Sequence, residues 1–424
     1  MTRPPRAFLV ITGSELVRGE RTDLNGPFLA RALHALGVEP ARIAIVGDAP
    51  HELEAALRAG LDADLTVVSG GLGPTHDDRT VELVARTTGT ELRVDDDLER
   101  EIGGISRRFA ERMRRPYADF AAGVRKQATL PAGAESLGLA GTAPGFVLAS
   151  GESVLVVLPG PPSELQRLWP RALETEPVRR VLSRARVPER RVLRFFGASE
   201  SAVAQALADA GGDGDGVEVT ICARDFEIHV DVVVDPGAQA RADALVERFV
   251  APVEQYLFAR DERTVQEAVL EACRERGWTL ATAESCTGGM IAARLTSVAG
   301  SSDVFVGGVV SYSNETKVRQ LDVPQALLEQ HGAVSAEAAA AMAQGVRGRI
   351  DADVAVAVTG IAGPGGGTPD KPVGLVFLHA LSPEGEEAVR FELPGDRGAV
   401  RARATVVALH LVRRLLTRNR DEGV

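Results

Sequence analysis

Short apolar runs alternate with amphipathic stretches through the first part of this 424-residue chain, a rhythm that narrows its possible folds more than any other property. Residues 8–11, 43–46 and 65–68 read as strands, and residues 24–36 and 51–61 between them read as helices. Strand, helix, strand in series predicts parallel strands joined by crossover helices. The result is an α/β sheet covered on both faces, with ligands in the loops at the carboxyl ends of its strands. Those loops are rich in glycine. Thr12-Gly13-Ser14-Glu15 follows the first strand, and Ser69-Gly70-Gly71-Leu72-Gly73-Pro74-Thr75-His76-Asp77-Asp78 follows the third and opens a helix at 79–86. Gly141-Thr142-Ala143-Pro144-Gly145-Phe146 and Leu158-Pro159-Gly160-Pro161-Pro162 lie beside further apolar strands.

From about residue 190 the pattern becomes strand 192–196, helix 200–209, a Gly/Asp-rich break, strands 217–222 and 227–234, and helix 240–256. The order is that of a small α+β unit resembling the KH-like fold. Its Gly211-Gly212-Asp213-Gly214 turn joins helix to strand and not helix to helix, so the nucleic-acid clamp of that fold is missing and the unit reads as a spacer. The α/β rhythm then resumes with helix 265–274, strand 279–283, helix 288–296, strand 304–310 and helix 315–321. Helix 336–347 with Ser335 at its N-cap, strands 354–358 and 373–379, and a terminal helix 399–416 follow. This length exceeds what one core covers, and three domains are expected, at 1–172, 173–260 and 261–424.

A formal net charge of -11 argues against a protein built to coat nucleic acid or anionic lipid, because those partners demand a basic face. No apolar run approaches the roughly 18 residues of a membrane span, and residues 1–7 lack a signal-peptide core. Cys222, Cys273 and Cys286 fit neither a zinc site nor a disulfide framework, so a cytoplasmic chain acting on small molecules is expected. Among the 48 basic residues only Lys126, Lys317 and Lys371 are lysine. Arginine supplies charge but is no base near neutral pH, whereas a desolvated lysine is one. Each surviving lysine therefore marks a candidate site, the plain alternative being a solvated surface position.

Thr282-Ala283-Glu284-Ser285-Cys286-Thr287-Gly288-Gly289 joins a strand to a helix. Ser285 would sit at the turn, with the amides of Thr287, Gly288 and Gly289 behind it to hold a developing oxyanion. A serine N-cap before a packed glycine turn fits the same residues. Val310-Ser311-Tyr312-Ser313-Asn314-Glu315-Thr316-Lys317 links another strand to a helix, and Lys317 lies 32 positions beyond Ser285. Serine is inert at neutral pH unless a base removes its proton, and a buried amine whose charged form is disfavoured does so. Tyr312 would relay a proton or position the lysine, whereas His331 and His379, candidates for a histidine-based triad, fall in no comparable turn. Cys286, at the same helix mouth, is either a rival nucleophile or a small buried apolar residue.

The glycines of Thr359-Gly360-Ile361-Ala362-Gly363-Pro364 and beyond lead into a strand, which rejects a dinucleotide fingerprint or a Walker loop. A glycine-lined wall or a hairpin loop remains. Arg397 and Arg401 would reach a phosphate or stay solvated. In the first domain Asp77 and Asp78 would hold a magnesium ion and steady a diphosphate, or cap the helix that follows.

Together, residues 69–78 with Thr80, 141–146, 158–162, 283–289, 311–317 and 359–364 resemble the CinA family (competence/damage-inducible protein A) over nearly the whole chain. The resemblance implies a molybdopterin-binding-like N-terminal α/β domain that hydrolyses ADP-ribose with a divalent metal, and a KH-like middle module. It also implies a C-terminal α/β domain similar to nicotinamide-mononucleotide deamidases, which need no cofactor and release ammonia, leaving nicotinate mononucleotide for NAD recycling. That family's serine falls on Ser285, its lysine on Lys317 and a nearby tyrosine on Tyr312. Thr287, Gly288, Gly289, Asn314, Thr359, Gly360, Gly363, Arg397 and Arg401 would contact the mononucleotide. Gly70, Gly71, Gly73, Thr75, Lys126, Gly141, Thr142, Gly145, Pro159 and Gly160 would contact ADP-ribose, with the metal at Asp77 and Asp78. A homodimer is expected, with neither nucleic acid nor membrane as partner. The shared fold also permits molybdopterin binding or adenylyl transfer, and the family name leaves open an adaptor acting on nucleic acid.

Overall fold

The structure, a computed structural model, describes residues 3–417 and divides into two compact units between Glu189 and Arg190. In the first unit β1 (Arg6–Thr12), β2 (Glu39–Val46) and β3 (Leu65–Ser69) are joined by helices. Two short strands, β4 (Leu92–Val94) and β5 (Thr129–Pro131), pair separately. β6 (Glu135–Leu139), β7 (Pro144–Ser150) and β8 (Ser153–Leu158) complete a six-stranded sheet in the order β2-β1-β3-β8-β7-β6. Pairing is parallel from β2 to β8, and antiparallel where β7 and β6 fold back.

The two-residue side-chain period divides β1 between two cores. Ala7, Leu9 and Ile11 pack with Leu29 and Leu33 of the helix Asn25–Ala35 and with Leu165 and Leu168 of the helix Pro162–Glu174. Phe8 and Val10 pack on the other side with Leu53 and Leu57 of the helix Pro50–Gly60 and with Leu83 of the helix Thr80–Thr88. The boundary expected at residue 172 falls inside the helix Pro162–Glu174. The next helix, Glu176–Leu182, buries Val178 and Val181 in the same core, so the first unit extends past it.

The second unit opens with β9 (Glu189–Phe195), β10 (Val217–Arg224), β11 (Glu227–Val234) and β12 (Leu257–Ala259), ordered β10-β11-β9-β12. The helices Glu200–Asp209 and Gln239–Val250 cover this sheet through Val203, Leu207, Leu245 and Phe249. The domain is more than the spacer its sequence suggests. The buried Glu227 carboxyl lies 2.7 Å from Nε2 of His410 in the terminal helix, and the His410 ring stacks on Phe196 at 3.8 Å between centroids.

The remainder forms a five-stranded sheet from β13 (Leu280–Glu284), β14 (Phe305–Val310), β15 (Val354–Gly360), β16 (Leu375–Ser382) and β17 (Gly385–Glu392), in the order β14-β13-β15-β16-β17. β13 runs parallel to both neighbours, which sets Glu284 opposite Val310 and Val358 and brings three strand ends together. Leu280 faces one core with the helices Val265–Arg274, Met290–Thr296 and Arg397–Thr417. Ala281 and Ala283 face the other with the helices Asn314–Leu321 and Ala336–Ile350. Ser313 and Ser335 start these last two helices by accepting from the amides of Thr316 and Ala338 at 3.2 and 3.1 Å.

Candidate active site

Because β13, β14 and β15 end together, the turn after β13 and the helix after β14 face each other. Lys317 lies on the inner side of the helix Asn314–Leu321 and is 1% exposed. Its Nζ donates to the carbonyl of Ser311 at 2.8 Å and to that of Tyr312 at 3.5 Å, and lies 3.1 Å from Oγ of Ser285. Lys317 makes no ion pair with a carboxylate among the described residues. Burial holds its amine below the ordinary lysine range. The opposing influence would be a charged Cys286, but burial pushes that thiol up to about 11, so it is neutral at physiological pH. Cys286 packs in the hydrophobic core with Ile291 and Val358, as a small apolar residue does.

A cavity of about 270 Å³ opens onto the pair and is lined by Asn314, Thr359, Gly360, Gly363 and Arg397 among others. Tyr312 is 60% exposed, and its hydroxyl accepts from Arg397 at 2.7 Å, so its backbone carbonyl and not its phenol meets the lysine. Arg397 also donates to the carbonyl of Gly363 at 2.8 Å. Arg401 points elsewhere: it donates to the carbonyls of Cys286 and Thr287 behind the turn. Thr287 is fully buried, main chain included, and lines no part of the cavity, nor do Gly288 and Gly289. Gly288 and Gly289 have φ of 62° and 95°, the left-handed region that a side chain would strain. His379 lies 3.2 Å from Glu386, and His331 pairs with Glu337.

Sequence reasoning missed two parts of this wall. Ala333 and Val334 line the cavity, and the carbonyl of Ala333 accepts from Thr359 Oγ1 at 2.7 Å. Lys371 pins the same loop by donating to the carbonyls of His331 and Val334 at 2.8 and 2.7 Å.

In the first unit, Gly70, Gly71, Asp77, Asp78 and Gly160 share a cavity of about 520 Å³ with Asp48 and Asn25. Asn25 donates to Ser69 Oγ at 2.9 Å and to the carbonyl of Gly160 at 2.7 Å, while its buried Oδ1 has no partner. Gly71, Gly73, Asp78 and Lys126 line a second cavity of about 390 Å³. The hydroxyl of Thr75 lies between the carboxylates of Asp77 and Asp78 and shares its one proton with them, which holds the Asp77 carboxyl below its usual range, and Lys126 donates to the carbonyl of Thr75. Gly73 leaves room for the Asp78 carboxylate, whose Oδ2 a Cβ would approach to 2.4 Å. Pro159 contributes its carbonyl to Ser69 Oγ at 3.3 Å. Gly141, Thr142 and Gly145 line neither cavity, and Gly145 is a packing position in β7 against Leu137 and Leu168. Asp48 and Asn25 belong to no motif, and Ser14 lies in the Thr12–Glu15 turn with no role assigned to it; Asp48 is placed by Ser14, whose hydroxyl donates to it at 2.5 Å.

Three family descriptions match the chain in succession: a probable molybdopterin binding domain over residues 8–177, a damage-inducible protein CinA KH domain over 190–260 and a CinA C-terminal domain over 262–416. These matches and the sheets above define a three-domain α/β protein. It belongs to the CinA family. A CinA-like protein of Mycolicibacterium paratuberculosis is 45% identical over 97% of this chain and 98% of its own. Another, of Mycolicibacterium vanbaalenii, is 46% identical over 97% and 99%. Of solved structures, a CinA superfamily protein of Klebsiella pneumoniae is 36% identical and covers 37% of this chain and 99% of its own, with a TM-score of 0.35. No helix among the described residues is long and apolar enough to cross a membrane.

Proposed function

We propose that the C-terminal domain hydrolyses the carboxamide of nicotinamide mononucleotide to nicotinate mononucleotide and ammonia. The observation that carries this reading is the 3.1 Å separation of Lys317 Nζ and Ser285 Oγ at a site where burial disfavours the ammonium form. A neutral amine has two N–H bonds and one lone pair. The carbonyls of Ser311 and Tyr312 take the N–H groups, which leaves the lone pair for the hydroxyl of Ser285. Ser285 Oγ then bonds to the amide carbon as its proton passes to Lys317. When the tetrahedral intermediate collapses the C–N bond breaks, and Lys317 returns the proton to the departing ammonia. Water, deprotonated by the same amine, cleaves the acyl ester and restores the serine. Arg397 at the cavity wall offers a guanidinium for the phosphate. Incubation with the mononucleotide should release ammonia and nicotinate mononucleotide. Ser285→Ala should abolish the reaction and Cys286→Ala should retain it; the reverse pattern assigns the nucleophile to the thiol.

For the N-terminal domain we propose metal-dependent hydrolysis of ADP-ribose, supported by Asp77 and Asp78 standing beside the glycine turns in one cavity. Among the described residues no group of three or more His, Cys, Asp or Glu could hold a metal. Two carboxylates suit a magnesium ion that completes its shell with water and a diphosphate, whose charge it would neutralise. AMP formed from ADP-ribose and lost on chelation supports this; silence favours molybdopterin binding or adenylyl transfer, which the matched domain also accommodates.

A further inference from the structure

Glu284 and Arg401 take no part in the reaction as written, yet both are committed to the turn that carries Ser285. Alternation along β13 sends the Glu284 side chain to the face opposite that of Ala283. There its carboxylate, 1% exposed, accepts from the amides of Gly289 at 2.9 Å and Ile291 at 3.1 Å through one oxygen, and from Ala292 at 2.9 Å through the other. Arg401 reaches the same turn from the terminal helix, donating to the carbonyls of Cys286 at 3.0 Å and Thr287 at 2.8 Å. The turn closes with Gly288 N–H on the carbonyl of Ser285 at 3.1 Å, and Ser285 N–H is held by Val358 at 3.0 Å.

These bonds occupy the amides of Ser285, Gly288, Gly289, Ile291 and Ala292. The amides of Cys286 and Thr287 have no oxygen acceptor among the described residues. Cys286 itself lines the cavity. A peptide unit is planar and trans, so Arg401, in fixing the carbonyls of Cys286 and Thr287, fixes the two peptide planes that follow Cys286 and with them the course of the turn. The amides of Gly288 and Gly289, expected from sequence to meet the oxyanion, are thus already engaged.

We propose that Glu284 and Arg401 are positioning residues of the amidase, gripping the nucleophile turn by its donors and its carbonyls so that Ser285 and the amide of Cys286, the two turn residues that line the cavity, are held ready for the oxyanion. The proposal rests on Ser285 as nucleophile but not on which amide is hydrolysed. A fluorophosphonate tests it on the full-length protein. Ser285 Oγ bonds to phosphorus, fluoride leaves with the P–F bond, the hydroxyl proton passes to Lys317, and the phosphoryl oxygen occupies the oxyanion position.

Glu284→Gln puts an NH2 group against backbone N–H groups. Arg401→Lys keeps the charge but loses the fork that spans two carbonyls. Each variant should slow Ser285 labelling, read by peptide mass mapping, about 10- to 100-fold, and lower kcat by a like factor with KM within about twofold. Labelling within about threefold of wild type in both variants overturns the proposal, as does a loss confined to KM or a wild-type protein whose Ser285 takes no label. If Glu284→Gln does not fold, Arg401→Lys decides by the same readouts. Labelling of wild type without hydrolysis of nicotinamide mononucleotide overturns the substrate reading alone, and the relative labelling rates still decide the role of the two residues.

Discussion

Two of the chain's three lysines stand over glycine-rich turns in opposite settings. Lys317 is sealed inside its domain, held by backbone carbonyls and touching a serine hydroxyl. Lys126 is half-buried on the helix Ala118–Gln127, donates to the carbonyl of Thr75 and shares its cavity with Asp78. The first amine is stripped of water and of opposite charge, the condition for a base. The second stands half in water beside the Asp78 carboxylate, a setting that suits a point charge more than a base. The lysine's surroundings, more than its place beside a glycine loop, decide which chemistry it serves. Lys371, whose amine binds two carbonyls of the cavity-lining loop, shows a third use, purely architectural.

The contrast breaks most sharply at Lys317. Lys317→Ala should lower the deamidase kcat about 10³- to 10⁴-fold and leave ADP-ribose hydrolysis unchanged, and Lys317→Arg should do no better because a guanidinium keeps its proton. Ammonia release measures both, and a loss under about tenfold would remove the amine from the role of base. Joint replacement of Asp77 and Asp78 by Asn should reduce AMP formation about 100-fold with deamidation intact; equal loss of both activities would mean damaged folding and erase the distinction between the sites.

The pH profile sharpens the contrast further. With its folded-state pKa lowered, Lys317 releases its proton earlier as pH rises. Deamidase kcat/KM should therefore climb about tenfold per unit to a plateau whose midpoint lies below the roughly 10.4 of a free lysine, and a midpoint at or above that value contradicts the dry site. The smallest effect belongs to Cys286→Ala, which should keep the rate within about threefold and cost about 1 kcal/mol of stability in denaturant titration.

Much of this was legible beforehand. The alternating pattern located the sheets because period two and period 3.6 are properties of local sequence, and the scarcity of lysine pointed to Lys317 and Ser285 as a pair. β17 is not legible because half of Gly385–Glu392 is charged and the strand forms as the hairpin partner of β16. Arg401 was misdirected for a different reason: a guanidinium in a terminal helix faces either a ligand or a carbonyl, and helical spacing alone does not say which. Glu284 stands inside the motif without a legible role, since a carboxylate beside a nucleophile says nothing of its aim until the strand's alternation is anchored by its neighbours. Residues 418–424, at the end of the expected third domain, lie outside the described residues.

The carbonyls that orient the Lys317 amine belong to the main chain just beyond the end of β14. The placing of that amine against Ser285 is therefore written into backbone hydrogen bonding and does not depend on which side chains residues 311 and 312 carry. An engineer wishing to retarget the enzyme could vary the cavity rim, at Asn314 and Arg397, with the base left in register.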